Sequence, residues 1–536
     1  MTLTRRRFLA GVGGTAGAAL LAPIVGPAHR AFGAALVDPA TAIRNRLVVI
    51  FLQGGNDGLN TVIPRGDVAG AARHSIYRKV RPSISYAAGD TLALDAYSDS
   101  AHALGLNRAL PTVHALYRSG RVAIVQGVDY PSHSYSHFTS TDIWQSGELP
   151  TPASGWIGRH LDRAGIGEGE LRAVAVGTDL PLILRGRHTP GTAIRSIAAT
   201  EFSDAAVKGA GSRHATLARF SDYPRAEPVR HAAGRIAAQT VDVVSVLRGA
   251  RSPAEQPVAV VDGLLTARTL LEQPLGVETI FVRQPGYDTH VAETRTHEPL
   301  LGDLDGALEA FFLGSFRGRA LGPGPLAPSV AARTLVLVVS EFGRRIGENG
   351  AAAAGGTDHG AAAPVFLIGP PPDAAARVAL VPGLHGDHPA MGTVALPADN
   401  LTMTTDVRRV FQSILQGWLA SPDPMFESLG ALPNLILTGA NAGAKAATLA
   451  GGRAPKRVTA PGPTSGAPDP AAGADLAGAA AVAGESPEFG VALPERRAAA
   501  GGDGPSVPLT AAALGLTIGA GALAAHRVRE EAREEA

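Results

Sequence analysis

Six short, nearly unbroken apolar runs constrain the fold of this chain more than any other feature. They are Leu47–Gln53, Val122–Val128, Ala173–Val176, Thr279–Val282, Thr334–Ser340 and Pro364–Ile368. A strand with one face in water alternates apolar and polar side chains, whereas a strand covered on both faces stays apolar along its length. These runs do not alternate, so they predict a helix-covered sheet. Longer amphipathic segments at Leu110–Arg118, Thr139–Gln145, Ala232–Arg248, Glu298–Leu313 and Asp406–Leu419 are read as the covering helices. The order predicts an α/β fold with a doubly wound, mostly parallel sheet over residues 44–438. No internal repeat interrupts it.

The two ends read differently. Thr4-Arg5-Arg6-Arg7-Phe8-Leu9 precedes a Gly/Ala-rich apolar run from Ala10 to Val25 and small residues around Ala31 to Ala35. A charged start, a short apolar centre and a small-residue end make a secretory signal, and adjacent arginines before Phe-Leu mark the twin-arginine kind. Residues 1–35 are therefore expected to be a signal peptide for the twin-arginine translocation machinery, cleaved near Ala34. Residues 439–505, rich in Pro, Ala and Gly, offer few large apolar groups to offset the entropy of ordering and are expected to be a disordered linker. Val507 to Ala525 carries no charge and is followed by His526-Arg527-Val528-Arg529. A run of that length matches the hydrocarbon thickness of a bilayer, and arginines beyond it favour the cytoplasm. The expectation is a single transmembrane anchor at 507–525 and a charged cytoplasmic tail at 526–536, with the body on the extracytoplasmic face of the membrane. If 507–525 is instead a weakly apolar helix packed elsewhere, the protein is secreted.

Composition removes several functions. The 48 basic and 47 acidic residues leave a net charge of +1, with no basic field for nucleic acid. Cysteine is absent, which excludes disulfides, thiolate metal sites and a cysteine nucleophile. Any metal must be held by oxygen and nitrogen.

In open α/β sheets ligands sit beyond the carboxyl ends of strands, and four strand ends carry chemistry. The first, Gln53-Gly54-Gly55-Asn56-Asp57-Gly58, combines glycines for tight turning with Asn56 and Asp57 oxygens; alone, such a segment is more often just a turn. The second, Asp129-Tyr130-Pro131-Ser132-His133-Ser134-Tyr135-Ser136-His137-Phe138, enters a helix. Ser136 at its start is placed either for nucleophilic attack or as a helix cap. The third, Gly286-Tyr287-Asp288-Thr289-His290, puts a carboxylate and an imidazole two residues apart, a hard-cation or zinc pairing. The fourth, Ser340-Glu341-Phe342-Gly343-Arg344, is followed by Glu348-Asn349-Gly350 and Gly356-Thr357-Asp358-His359-Gly360. Glu341, Asp358 and His359 are candidate ligands there, and Arg344 suits an oxyanion. The plainer reading of Glu341 and Arg344 is an ion pair.

These blocks resemble the exported family known as domain of unknown function 1501. The likeness rests on VVIFLQGGNDGLNTVIP at Val48–Pro64, ALYRSGRVAIVQGVDYP at Ala115–Pro131, SHFTSTDIWQSG at Ser136–Gly147, GYDTH, SEFGRR, ENG, GTDHG and TTDVRRVFQSIL. More distantly the chain resembles the alkaline-phosphatase/sulfatase superfamily. That resemblance implies an alkaline-phosphatase-like body in which Asp57 is the first metal ligand, Ser136 the nucleophile, and Asp288 with His290 the middle pair. It puts Glu341 where the superfamily has the carboxylate of an Asp-His pair, and Asp358 or His359 near the final histidine. Phe342 stands where the superfamily has the imidazole. The activity implied is hydrolysis of phosphate or sulfate esters using divalent Zn, Mg, Mn or Ca, with Arg344 orienting the anion. Without metal, carboxylates this close are expected to repel and raise the pKa of at least one. The competing expectation is a non-catalytic cell-envelope binding or assembly protein that keeps a degenerate site.

Overall fold

The structure, a computed structural model, describes residues 44–451 except 68–72, 98–102, 149–152, 165–171, 189–190, 196–257, 274, 323, 351–353, 392–398 and 422–424. The expected signal, anchor and tail, most of the expected linker, and the helix expected at Ala232–Arg248 lie outside the described residues.

Each of the six apolar runs forms a strand. Among the described residues the main sheet comprises β1 (Arg46–Gln53), β2 (Val122–Asp129), β3 (Ala173–Val176), β4 (Thr192–Ile194), β5 (Thr279–Pro285), β6 (Thr334–Val339), β7 (Ala363–Ile368), β8 (Gly383–His385) and β9 (Thr405–Asp406). The spatial order is β8-β2-β7-β6-β1-β5-β3-β4, with β9 also beside β2. β1 runs parallel to β5 and β6, and β3 parallel to β4 and β5. β8 and β9 run parallel to β2. β7 alone is reversed, antiparallel to both β6 and β2. The fold is mixed α/β with a mostly parallel central sheet.

Among the helices of the described residues are α1 (Gly58–Thr61), α2 (Pro111–Arg118), α3 (His137–Ser146), α4 (Trp156–Arg163), α5 (Ala259–Glu272), α6 (Glu293–Leu313), α7 (Val407–Ser413) and α8 (Ala442–Leu449). Successive strand residues point to opposite faces, which divides the interior in two. Val48, Ile50 and Leu52 of β1 join Val113 of α2, Leu264 of α5 and Phe311 of α6. Leu47, Val49 and Phe51 join Trp144 of α3, Trp156 of α4 and Phe411 of α7. Trp156 stacks on Phe411 with centroids 4.6 Å apart. This two-sided cover is why the strands read as unbroken apolar runs.

Three boundaries depart from expectation. α6 starts at Glu293 rather than Glu298, because its first turn leans on a loop far along the chain, where Glu293 N donates to Gly355 O at 2.9 Å. α3 starts at His137, with Ser136 as its N-cap. Residues 439–451 are not linker, since α8 lays Ala442 and Ala446 against Ala379 and Val381. Small residues permit that approach, and a Cβ on Gly443 would overlap the Asp373 carbonyl. Among the described residues no helix is long and apolar enough to cross a membrane.

Candidate metal centre

β1, β2, β5 and β6 share one direction, so all four end at one edge of the sheet, and reversed β7 begins there. Hence Asp358 and His359, which precede a strand, meet residues that follow strands. His359–Gly360 also pairs with Gly343–Arg344 as a short antiparallel ribbon, which holds the imidazole in register. Gly54, at φ +120°, lets the β1 loop touch the β5 loop, where a Cβ would overlap the backbone of Asp288.

His137, Asp288 and His359 each offer one ligand atom at this edge, all within 4.8 Å of one another. Each imidazole is aimed by its other nitrogen. His137 Nδ1 is 2.9 Å from Glu341 Oε1, and His359 Nδ1 is 2.8 Å from the Tyr135 carbonyl. His290 Nδ1 is 3.0 Å from Asp358 Oδ1, to which Asn349 Nδ2 also donates at 2.7 Å. Acceptors at every Nδ1 fix the three ring orientations and turn each Nε2 toward Asp288. The three Nε2 atoms gather around Asp288. His359 and His290 Nε2 lie 3.1 Å from its Oδ1, and His137 Nε2 lies 3.4 Å from its Oδ2. The Phe342 ring packs at 4.8 Å from the His137 ring and 4.7 Å from that of His359.

Arg344 locks the loops together. It is buried, and donates to the carbonyls of Gly55 at 2.8 Å, Thr357 at 2.7 Å and Tyr287 at 2.9 Å, to the Gly54 carbonyl, and to Asp288 Oδ1 at 2.7 Å. Partial burial works against the ionised form of Asp288, yet the hydrogen bond and charge of Arg344, helped by His359 and His290, bring its pKa down to about 2. Hydrogen bonding to Glu341 raises the pKa of His137, whereas burial lowers that of His359.

Asp57 lies in a different, fully buried group. Its Oδ1 accepts from Leu59 N at 3.0 Å and Asn60 N at 3.1 Å, capping α1, and its Oδ2 pairs with Arg81 at 2.6 Å. A guanidinium thus occupies the place of the expected cation. Arg81 also donates to the carbonyls of Ile346 and Arg345, both at 2.7 Å. Glu293 stands beside them, accepting from Asn60 Nδ2 and Thr357 Oγ1, each at 2.7 Å. Burial opposes ionisation of Asp57, but Arg81 and the bond to Glu293 hold it at about 2. Glu293 is pushed well above the carboxylate range by burial and by the Asp57 charge, so it is the protonated partner. Of the carboxylates expected to repel, which were Asp57, Asp288, Glu341 and Asp358, Asp57 and Asp288 are lowered despite burial, each by its own arginine, and Asp358 is lowered despite burial by hydrogen bonds from His290 and Asn349, while the raised acid, Glu293, lies outside the expected set.

The other expected residues are placed as follows. Asp288, His290 and His359 converge through their own ligand atoms. Glu341 and Asp358 stand one step out, each holding an imidazole. Glu341 and Arg344 do not pair with each other; their partners are His137 and Asp288. Arg344 spends its donors on the loops, which differs from the anion-orienting role expected of it. Ser136 is exposed, with Oγ accepting from Thr139 N at 3.5 Å as a cap. His137 was not among the expected ligands, and its one sequence signal is its place in the first turn of a helix directly after a strand. Glu293 was missed because the helix was expected to start after it.

No curated protein matches this chain. A family model described as "Protein of unknown function (DUF1501)" matches residues 44–370, and the chain belongs to that family.

Proposed function

We propose that this chain is an exported, metal-dependent hydrolase of anionic esters, phosphate or sulfate, with an alkaline-phosphatase-like body. The observation that carries the reading is the convergence of His137, His290 and His359 Nε2 on Asp288. Two details support a cation there. His137 Nε2 is buried with no hydrogen-bond partner. His290 Nε2 and His359 Nε2 stand 2.9 Å apart, two lone pairs face to face unless a proton or a shared cation lies between them. Two imidazoles and one carboxylate, with the His290 imidazole beside them, form a nitrogen-rich set that suits Zn better than Mg, Mn or Ca.

A divalent ion held by His137, Asp288 and His359, with His290 beside them, would supply Lewis-acid polarisation of an ester oxygen. Glu341, Asp358 and the Tyr135 carbonyl keep the Nε2 atoms pointed inward. Arg344 keeps Asp288 ionised and the four loops in contact. Ser136, one residue before His137 at the start of α3, is the candidate nucleophile by position.

Metal analysis of protein purified without chelator, with turnover of aryl phosphates and sulfates, tests the proposal. About one Zn per chain and turnover that falls at least tenfold in His359→Ala are expected. Metal-free protein without turnover sinks the hydrolase. Undiminished turnover in Ser136→Ala removes that nucleophile alone.

A second reading, a non-catalytic envelope protein, is favoured by one observation: among the described residues no imidazole or carboxylate is hydrogen-bonded to the Ser136 hydroxyl to act as its base. Bound metal without turnover of any ester would select it. Export and anchoring are supported by the Arg5-Arg6-Arg7-Phe8-Leu9 start and the 507–525 run, and Arg5→Lys/Arg6→Lys should retain the protein in the cytoplasm.

A further inference from the structure

His137, Asp288 and His359 bring their ligand atoms within 4.8 Å of one another, and His290 stands beside them. Its side chain is 41% exposed, against 31% for His137 and 22% for His359. A part-exposed side chain loses rotamer freedom when it joins a site, so it contributes only where its surroundings fix it beforehand. Here the hold comes from residues 354–358, a strap that lies along the backbone of 289–293. Thr357 N donates to Thr289 O at 3.1 Å, Ala292 N to Ala354 O at 3.3 Å, and Glu293 N to Gly355 O at 2.9 Å. Gly356 sits so close that a Cβ there would overlap the His290 carbonyl. Two side-chain bonds fasten the strap from different sides. On the buried side Thr357 Oγ1 donates to Glu293 Oε2 at 2.7 Å, while the Thr357 carbonyl accepts from Arg344 at 2.7 Å. On the exposed side Asn349 Nδ2 donates at 2.7 Å to Asp358 Oδ1, the atom that faces His290 Nδ1.

We infer that Thr357 and Asn349 are positioning residues: by fastening the strap they hold His290 Nε2 at the edge of the centre, 3.1 Å from Asp288 Oδ1, and so decide whether its imidazole joins the cation. The inference rests on the metal centre proposed above and assigns what recruits its outermost imidazole. Neither residue reaches the centre itself. Thr357 acts through Thr289, the residue between Asp288 and His290, and Asn349 acts through Asp358. One fastening is a buried hydroxyl on a carboxyl group and the other a part-exposed amide on a carboxylate. They share no partner, so a common effect of removing either belongs to the strap they both hold.

The test is Zn affinity of the full-length protein by competition against a chromophoric chelator, with the absorption spectrum of the Co(II)-loaded protein as a second readout. Thr357→Val keeps the side-chain shape and removes the hydroxyl. It is expected to lower Zn affinity about tenfold or more and to shift the Co(II) spectrum toward that of His290→Ala, whereas Thr357→Ser, which keeps the hydroxyl, restores both. Asn349→Ala alters a part-exposed residue and should fold even if Thr357→Val does not, with the same loss and the same shift. Asp305→Asn serves as the structural control. It weakens the cap that Asp305 gives Thr112 N and Val113 N, and should destabilise the metal-free protein while leaving Zn affinity unchanged. Wild-type affinity in either folded strap variant, or no rescue by Thr357→Ser, overturns the inference and leaves the hydrolase standing. So does a loss in Asp305→Asn as large as theirs, or a Co(II) spectrum unchanged in His290→Ala. A wild-type protein that binds neither Zn nor Co(II) removes the metal centre and the inference together.

Discussion

Residues of one chemical type play opposite parts here, and hydrogen-bond partners decide which. Asp288 faces three imidazoles and is half-exposed; Asp57 is sealed against Arg81. Asp57→Asn leaves a buried guanidinium without its counter-charge, and a loss of about 3–5 kcal/mol is expected by denaturant unfolding. Glu293 behaves differently because its carboxyl is protonated when folded. A folded-state pKa raised above the unfolded value means the native protein holds a proton that the unfolded chain releases. The associated stability is present in full below about pH 4, the unfolded value, and is lost as pH rises toward the folded one. Thermal unfolding should therefore show stability falling above about pH 5 in the wild type, with a flatter profile in Glu293→Gln. A wild-type profile as flat as that of the variant would remove the protonated assignment. At the centre, Glu341→Gln should lower Zn affinity about 10–100-fold, because it loosens the hold on His137 without removing a ligand. Competition against a chromophoric chelator measures it.

At the scale of elements, the site depends on where loops leave strands. Gly54 adopts φ +120° against the backbone of Asp288, so Gly54→Ala forces β1's loop away from β5's. We expect a stability loss of about 1–3 kcal/mol and weakened Zn binding, even though Gly54 touches no metal. Unchanged Zn affinity in that variant would show that the two loops assemble independently. Much of this level was legible in the sequence. The apolar runs located every strand expected, since burial on both faces leaves a pattern in each strand alone. The helix start at Glu293 was not legible, because it is stabilised by a partner far along the chain, the Gly355 carbonyl, whereas Ser136 marked the start of α3 as its local cap.

At the scale of the whole molecule, the family match ends at residue 370, yet the body continues to α8. A chain ending at Gly451 should unfold with the same midpoint as the full-length protein, whereas one ending at Gly439 loses α8 and exposes Ala379 and Val381. Fractionation of cells expressing the full-length chain and the Gly451-terminated one tests the anchor at 507–525. Release of both into the soluble fraction would contradict it. The strands, the absence of thiol chemistry and the presence of acid- and histidine-bearing loops follow from the sequence alone, because burial and residue type are local properties. Which of those side chains face one another was decided by the tertiary structure. Reversed β7 carries His359 to the sheet edge, α3 presents His137 to Glu341, and Arg81 reaches Asp57 before any cation can. Each of these contacts joins segments far apart in the chain, and no local pattern records a distance in space.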